Sequence, residues 1–432
     1  MSAYLQWLLS PSDPFNVIAG LQTVGTLALS SKVFFWLIVF IVVRYDLAAF
    51  VLLFMKLVNP RVFFPPRMFE YADYTPLISV LIAGRNPGPR IADTIESVLN
   101  SGYPNVELIY ADDHSTDESV ATARQYERTG KVKIFANEQH CGKPSNLNVA
   151  IMLARGEFLF VLDADAAVTP GSLQVLLAEF QDPTVASVSA NIMSRNGDRT
   201  LITRFQEIEY ALAQAIAQIW RSKADFMSIA PGAATMFRAT ALRAIGGYDT
   251  GLGDDTDVTI RLRKAGWRLK FSVEASIRTD YPETLSHLLR QRSRWTRNMV
   301  KVRFKKHRDL GTMRYGFRNM LLFYEVLFSR VLLPLTTMSL LVFAVFFKFQ
   351  ARPDVITGLY WFTTSMLFFK VLVARDVSGA PPLARLWLVP FYPFYRLPVR
   401  ITEVIQILRE FLHIKPWHPY VPRRIWQQIP HW

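Results

Sequence analysis

The sequence predicts an α/β domain, strands and helices alternating around a sheet, carried between apolar segments long enough to enter a membrane. Three observations lead there. β-rich runs alternate with helical ones from Pro76 to Leu162. Hydrophobic residues make up 51% of the 432 and aromatic ones 13%, too apolar for a simple soluble enzyme of this size. The longest apolar stretches flank the alternating region on both sides.

From the N-terminus, the first membrane candidate is Lys32 to Leu57, which exceeds the ~20 apolar residues that cross a bilayer and carries lysines near both ends. Arg44 and Asp46 interrupt it, so it reads either as one tilted span or as two shorter passes beginning between Asn16 and Ser30. It is too long for a cleavable signal peptide, and no basic region precedes it. The proline-rich stretch Asn59 to Pro66 reads as a linker, which sets an N-terminal membrane segment over residues 1–66.

Residues 67–297 form the predicted catalytic domain. Strands are expected at Leu77 to Ala83, Val106 to Ala111, Val132 to Phe135 and Phe158 to Leu162. Helices are expected at Ile91 to Leu99, Glu118 to Arg128 and Ser145 to Ala154. Such alternation implies a parallel sheet, whose ligands gather beyond the carboxyl ends of the strands. Apolar runs return at Leu321 to Phe347 and Val355 to Val373, two expected spans. A third run, Leu386 to Leu412, is broken by Pro390, Pro393 and Pro398, and Asp376 to Pro382 reads as a loop. Residues 298–432 are thus expected to hold interface helices and a C-terminal transmembrane region.

The net charge of +14 crowds the ends of the apolar runs: Arg61 and Arg67 follow the first, and Arg297, Lys301, Arg303, Lys305, Lys306, His307 and Arg308 precede the second. That is the positive-inside pattern, which predicts a multi-pass protein of the plasma or inner membrane with a cytoplasmic middle domain. No nucleic-acid-binding signature accompanies the charge, so no nucleic acid partner is expected. The single cysteine, Cys141, cannot form an intrachain disulfide. No G-x-G-x-x-G or Walker lysine motif follows the first strand, which disfavours dinucleotide and P-loop chemistry.

The acidic clusters carry the chemistry. Asp112-Asp113 and Asp163-Ala164-Asp165 each stand at a strand end, so they should converge on one crevice. Moving a sugar off a nucleotide diphosphate leaves negative charge on the departing phosphate, which a divalent cation offsets. An Asp-x-Asp pair at a strand end can turn one carboxylate to the nucleoside and the other to Mg²⁺ or Mn²⁺. In Asp112 to Asp117 one aspartate can accept from a uracil imide while Ser115 to Asp117 start a helix. Lys143, after Gly142 and before another helix, suits a diphosphate. Asp255, within Gly253-Asp254-Asp255-Thr256-Asp257, is the candidate base for direct, inverting attack by an acceptor hydroxyl, with Asp257 supporting the helix start. Gln291, Arg294 and Trp295 fall within about one helical turn. They can present an amide, a phosphate-binding guanidinium and a ring for a sugar to one cavity.

The order of these residues resembles the processive family 2 glycosyltransferases: the cellulose, chitin, hyaluronan and poly-N-acetylglucosamine synthases. The resemblance covers Pro76 to Arg297 in motif detail. It implies a GT-A glycosyltransferase domain with a Rossmann-like mixed sheet, a UDP-sugar donor (UDP-glucose or UDP-N-acetylglucosamine), a divalent metal, a growing β-linked polysaccharide as acceptor and a path for it across the lipid. By position, Asp113 with Asp112 matches the uridine-binding aspartate and Lys143 the residue near the diphosphate. Asp163 matches the nucleotide side of the Asp-x-Asp pair, Asp165 the metal ligand and Asp255 the base. Gln291, Arg294 and Trp295 match the motif that binds pyrophosphate and frames the acceptor, and Pro231-Gly232-Ala233 resembles the acceptor-side loop. The chain departs from the frequent family pattern at Asn86-Pro87, His114 and Asp254, none of which is a matched metal ligand or base. A transferase that adds one sugar to a membrane lipid would share the donor site, and a scaffold that has lost catalysis would share the groove. Product length separates the first and metal-dependent UDP release the second. Accessory subunits or a homo-oligomer stay open.

Overall fold

The computed structural model of this chain describes residues 49–55, 75–250, 254–346 and 353–412. The expected first span is described only over 49–55, and the linker Asn59 to Pro66 lies outside the described residues. Among those residues, eight strands make one mixed sheet: β1 (Ile78–Gly84), β2 (Val106–Asp112), β3 (Val132–Ala136), β4 (Phe158–Asp163), β5 (Ala167–Val168), β6 (Val185–Ser194), β7 (Ala234–Arg238) and β8 (Arg268–Thr279). Their order across the sheet is β3-β2-β1-β4-β7-β6-β8-β5. The helices of ten or more residues are α1 (Arg90–Leu99), α2 (Lys143–Leu153), α3 (Leu201–Ala211), α4 (Asp254–Lys264), α5 (Leu285–Met299), α6 (Phe317–Leu327), α7 (Leu333–Phe346), α8 (Pro353–Ser378) and α9 (Tyr392–Phe411).

Side chains alternate across the sheet, as a strand dictates. Leu81, Ala83, Ile109, Leu159 and Val161 enter one buried layer with Leu147 and Ala150 of α2. Ile78, Val80, Ile82, Leu108, Tyr110 and Phe160 enter the other with Ile91, Ile95 and Val98 of α1. Burial on both faces is what a parallel sheet requires. The expected parallel pairing holds from β1 to β4, whereas β7 runs antiparallel to both β4 and β6. The reversal follows from the connection: Asp163 N–H donates to Ala233 O at 3.3 Å, so the chain enters β7 from the carboxyl edge of β4. The expected helix from Glu118 to Arg128 is shorter, Ser119–Arg124, and gives way to a 3₁₀ turn at Glu127–Thr129.

Register positions the chemistry. Gly84 pairs with Asp112 and Ala83 with Asp163, so both acidic strand ends stand at one edge. Leu162 pairs with Ala234, which adds Pro231 to Ala233 to that edge.

The C-terminal helices pack on this domain. Phe205 and Ile208 of α3 and Leu288 of α5 share a buried cluster with Val371 of α8 and with Leu388, Tyr395 and Val399. Ion pairs fasten the same contact. Arg385 meets Glu207 and Asp198, Arg396 meets Glu209, and Glu410 receives Arg297, Lys301 and Lys305. Helix α9 therefore points Arg396, Glu403 and Glu410 inward, while Phe394, Leu397, Ile401, Ile405 and Leu408 are exposed at helical spacing on its other side. This inverts the pattern of a water-facing helix. Phe317–Ser339 is the one helix among the described residues long and apolar enough to cross a membrane. Helix α8 runs past the loop expected at Asp376, ending at Ser378. Residue 297 lies inside α5, which passes directly into a π-helical turn at Val300–Lys306.

Candidate active site

The two aspartates after β2 brace the loops around them. Asp112 accepts from the Tyr110 hydroxyl at 2.7 Å and from Ser115 N–H at 2.8 Å. Asp113 accepts from Cys141 N–H at 2.7 Å, from Gly142 N–H at 3.0 Å and contacts His140 Nδ1 at 2.6 Å. Both are almost fully buried, so Asp113 draws the residues before α2 onto the end of β2. Gly142 needs its φ of 87° to make that turn. His114 also takes a left-handed φ, 60°, a conformation glycine adopts without strain. The Asn86-Pro87 loop closes on the same turn: Ser115 Oγ accepts from Asn86 N–H at 2.8 Å, and Asn86 Oδ1 accepts from Thr116 N–H at 2.8 Å.

Lys143 opens α2 and forms an ion pair with Asp163 at the end of β4. Two residues on, Asp165 is accessible at the mouth of the crevice, yet dense protein around its carboxyl, followed by the charge of Asp163, pushes its pKa up to about 6. Arg195 fixes the backbone there, donating to Asp165 O at 3.2 Å. Two carboxylates that repel each other at an open edge are a donor set a divalent cation would relieve, so the residues fit such an ion. No cluster of three His, Cys, Asp or Glu groups suited to a metal occurs among the described residues.

Asp255 reaches this edge from the first turn of α4. It lies so close to the loop at Pro231 to Ala233 that a Cβ built on Gly232 would stand 2.1 Å from its Oδ1. Below it, Asp257 is fully buried with Arg261 at 2.6 Å and His307 at 2.9 Å, and with Lys306. Burial alone would raise its carboxyl; the bonds to His307 and Lys306 and the charge of Arg261 outweigh it and hold the pKa well below the carboxylate range. Asp257 thus anchors α4 beneath Asp255.

Gln291, Arg294 and Trp295 share one face of α5. Gln291 Oε1 is buried without a hydrogen-bond partner among the described residues. Trp295 keeps 42% of its surface exposed. Arg292, a residue of the motif to which the sequence assigned no role, lies 4.3 Å from the Trp295 ring and 5.8 Å from that of Tyr210. Tyr210 in turn stacks on Tyr281 at 4.4 Å. Burial raises the pKa of Tyr210 against the opposing charge of Arg292. Neither Arg292 nor Tyr210 carries a sequence signal of its own; only their place beside the motif could have marked them.

A mixed sheet with an Asp-x-Asp pair at its carboxyl edge and an antiparallel strand beside it defines a glycosyltransferase domain of GT-A-like fold. The chain belongs to the family described as glycosyltransferase like family 2, which matches residues 76–298. A poly-beta-1,6-N-acetyl-D-glucosamine synthase of Staphylococcus epidermidis is 29% identical over 227 residues, covering 52% of this chain and 55% of that one. A Bacillus subtilis protein named "Probable glycosyltransferase YdaM" is 29% identical over 278 residues, 60% of this chain and 66% of its own. The chain spans about half the length of the first of these relatives. The mannosyltransferase PcManGT from Pyrobaculum calidifontis, in complex with GDP-Man and Mn2+, shares the fold with a TM-score of 0.51 at 19% identity, covering 86% of this chain and 100% of that one.

Proposed function

We propose that this chain polymerises a β-linked polysaccharide from a UDP-sugar, inverting the anomeric carbon at each addition and passing the product across a membrane. The observation that supports the reading is that Asp163 and the Gly232 loop share one edge of the sheet, with Asp255 against Gly232 and Asp165 two residues beyond Asp163. The names of the synthase relatives favour UDP-N-acetylglucosamine over UDP-glucose. Asp112 and Asp113 shape the uridine side, directly or through the loops they hold. Lys143 and Arg294 bring positive charge to the diphosphate. Asp165, with Asp163 beside it, would hold Mg²⁺ or Mn²⁺, which offsets the charge of the departing diphosphate.

Asp255 takes the proton from the acceptor hydroxyl as its oxygen bonds to the anomeric carbon and the bond to UDP breaks, so UDP carries away the electron pair. Gly232 leaves room for that carboxylate. Gln291 accepts from, and Trp295 stacks under, the sugar to be extended. The exposed apolar side of α9 and the helix at Phe317–Ser339, long and apolar enough to cross a bilayer, support a membrane setting. The reading of several passes with a cytoplasmic catalytic domain rests on the apolar runs of the sequence and the basic residues at their ends.

The test is incubation of the purified full chain in nanodiscs with a panel of UDP-sugars and Mn²⁺ or Mg²⁺, followed by UDP release and product size. Cation-dependent release with a polymer ladder is expected. A single-sugar glycolipid as sole product refutes processivity, and no release with any donor refutes the transferase reading.

A further inference from the structure

Trp295 cannot hold a sugar face in place unless its own ring is held, and the surrounding contacts identify what holds it. The Arg292 guanidinium carbon lies 4.3 Å from the centre of the indole, one turn back on α5, and its other neighbour is the Tyr210 ring at 5.8 Å. Arg292 is only 6% exposed while Trp295 is 42% exposed, so the guanidinium covers the ring from inside and leaves an outer surface open. Arg292 is oriented by Glu209, whose Oε2 accepts from its Nη2 at 3.1 Å. The same carboxylate accepts from the Tyr395 hydroxyl at 2.6 Å and from Arg396 Nη1 at 2.7 Å. Tyr395 and Arg396 belong to α9, outside the segment that matches the family.

We propose that Arg292 is a positioning residue that fixes the Trp295 ring, and that Glu209, Tyr395 and Arg396 tie that ring to the C-terminal helix α9. A planar guanidinium can lie against one ring face while bonding a carboxylate in its plane; a lysine keeps the charge but loses that geometry. The inference rests on the acceptor role of Trp295 proposed above.

The experiment uses the full chain in nanodiscs with UDP-N-acetylglucosamine, Mn²⁺ and an N-acetylglucosamine oligosaccharide, measuring UDP release without acceptor and transfer with it. Arg292→Lys is expected to raise the acceptor KM about tenfold, with hydrolysis in the absence of acceptor unchanged within about twofold. Arg396→Met, at the far end of the network, should shift it the same way by about threefold. Combined with Trp295→Ala, Arg292→Lys should add no further loss, because the ring through which it acts is gone. A double variant about tenfold worse than Trp295→Ala alone, or an equal fall of hydrolysis and transfer, overturns the inference. Parental KM in Arg292→Lys and Arg396→Met beside an impaired Trp295→Ala overturns it alone. Parental transfer by Trp295→Ala removes the acceptor reading, and this inference with it.

Discussion

Replacing Gly232 with alanine tests most directly whether the proposed acceptor loop and the proposed base work together. The added Cβ would stand 2.1 Å from Asp255 Oδ1, 2.8 Å from its Cγ and 3.0 Å from Oδ2. Restoring ordinary contact requires the carboxylate to retreat by on the order of 1 Å, or the loop to move by as much. The loop is tied to Asp163 through Ala233 and α4 is held by Asp257 through Lys306 and His307, so the Asp255 side chain itself must turn aside, away from the loop. A misplacement of that size at a reacting group costs about a hundredfold in rate, and the overpacking itself about 1–3 kcal/mol of stability. UDP release under saturating donor should therefore fall about a hundredfold in Gly232→Ala. UDP affinity, measured by calorimetry, should stay near parental. Undiminished turnover in a variant that melts as the parent does would show that Asp255 and the loop do not work together.

Asp255→Asn is expected to abolish turnover while leaving UDP binding largely intact, and Asp165→Ala to weaken Mn²⁺-dependent nucleotide binding; calorimetry with and without the cation separates them, and parental activity of either contradicts its role. Asp257→Asn removes the buried charge shared by Lys306, Arg261 and His307, with an expected loss of about 3 kcal/mol in chemical denaturation, moderated because Lys306 keeps Asp249 and Arg261 keeps the carbonyls of Ile245 and Gly247. Acid should act on the same groups. Glu209 is buried, which opposes ionisation, but Arg292 and Arg396 bring its pKa down to about 2, and Asp257 is likewise depressed. Their contribution is complete above the ordinary carboxylate value and is lost as pH falls through the folded values. Melting temperature should be level near about pH 6 and drop below about pH 4, less steeply in Glu209→Gln.

The first half of the sheet was legible because it obeys local rules. β1 to β4 are short apolar runs bounded by turn residues, and their expected limits lie within about one residue of those observed. Asp112 and Asp163 were readable as strand-end carboxylates for the same reason. The direction of β7 was not, since it depends on where a connection leaves the sheet rather than on the residues of the strand. Asp113 stood out as an acid in a loop, but its three contacts come from residues 140–142, which no local pattern joins to it. Arg292 stayed silent for a related reason: its partner Glu209 is 83 residues away along the chain, and Arg396, which shares that carboxylate, is 187 residues from Glu209. The outward apolar side of α9 was hidden by prolines and charges that made the run look merely interrupted.

Glu410 gives the tail a say in how the enzyme can be cut. One carboxylate near the end of α9, 4% exposed, gathers Arg297, Lys301 and Lys305 at 3.0, 3.7 and 3.9 Å. A soluble fragment trimmed just after the last catalytic motif would lose this acid, along with Arg385 and Arg396, and would leave Glu207 and Glu209 without those cations. The excised piece would expose the greasy seam around Phe205 and Leu288 as well. The family-matched segment and its tail thus share a buried, ion-paired seam, so a cut between them is expected to cost solubility.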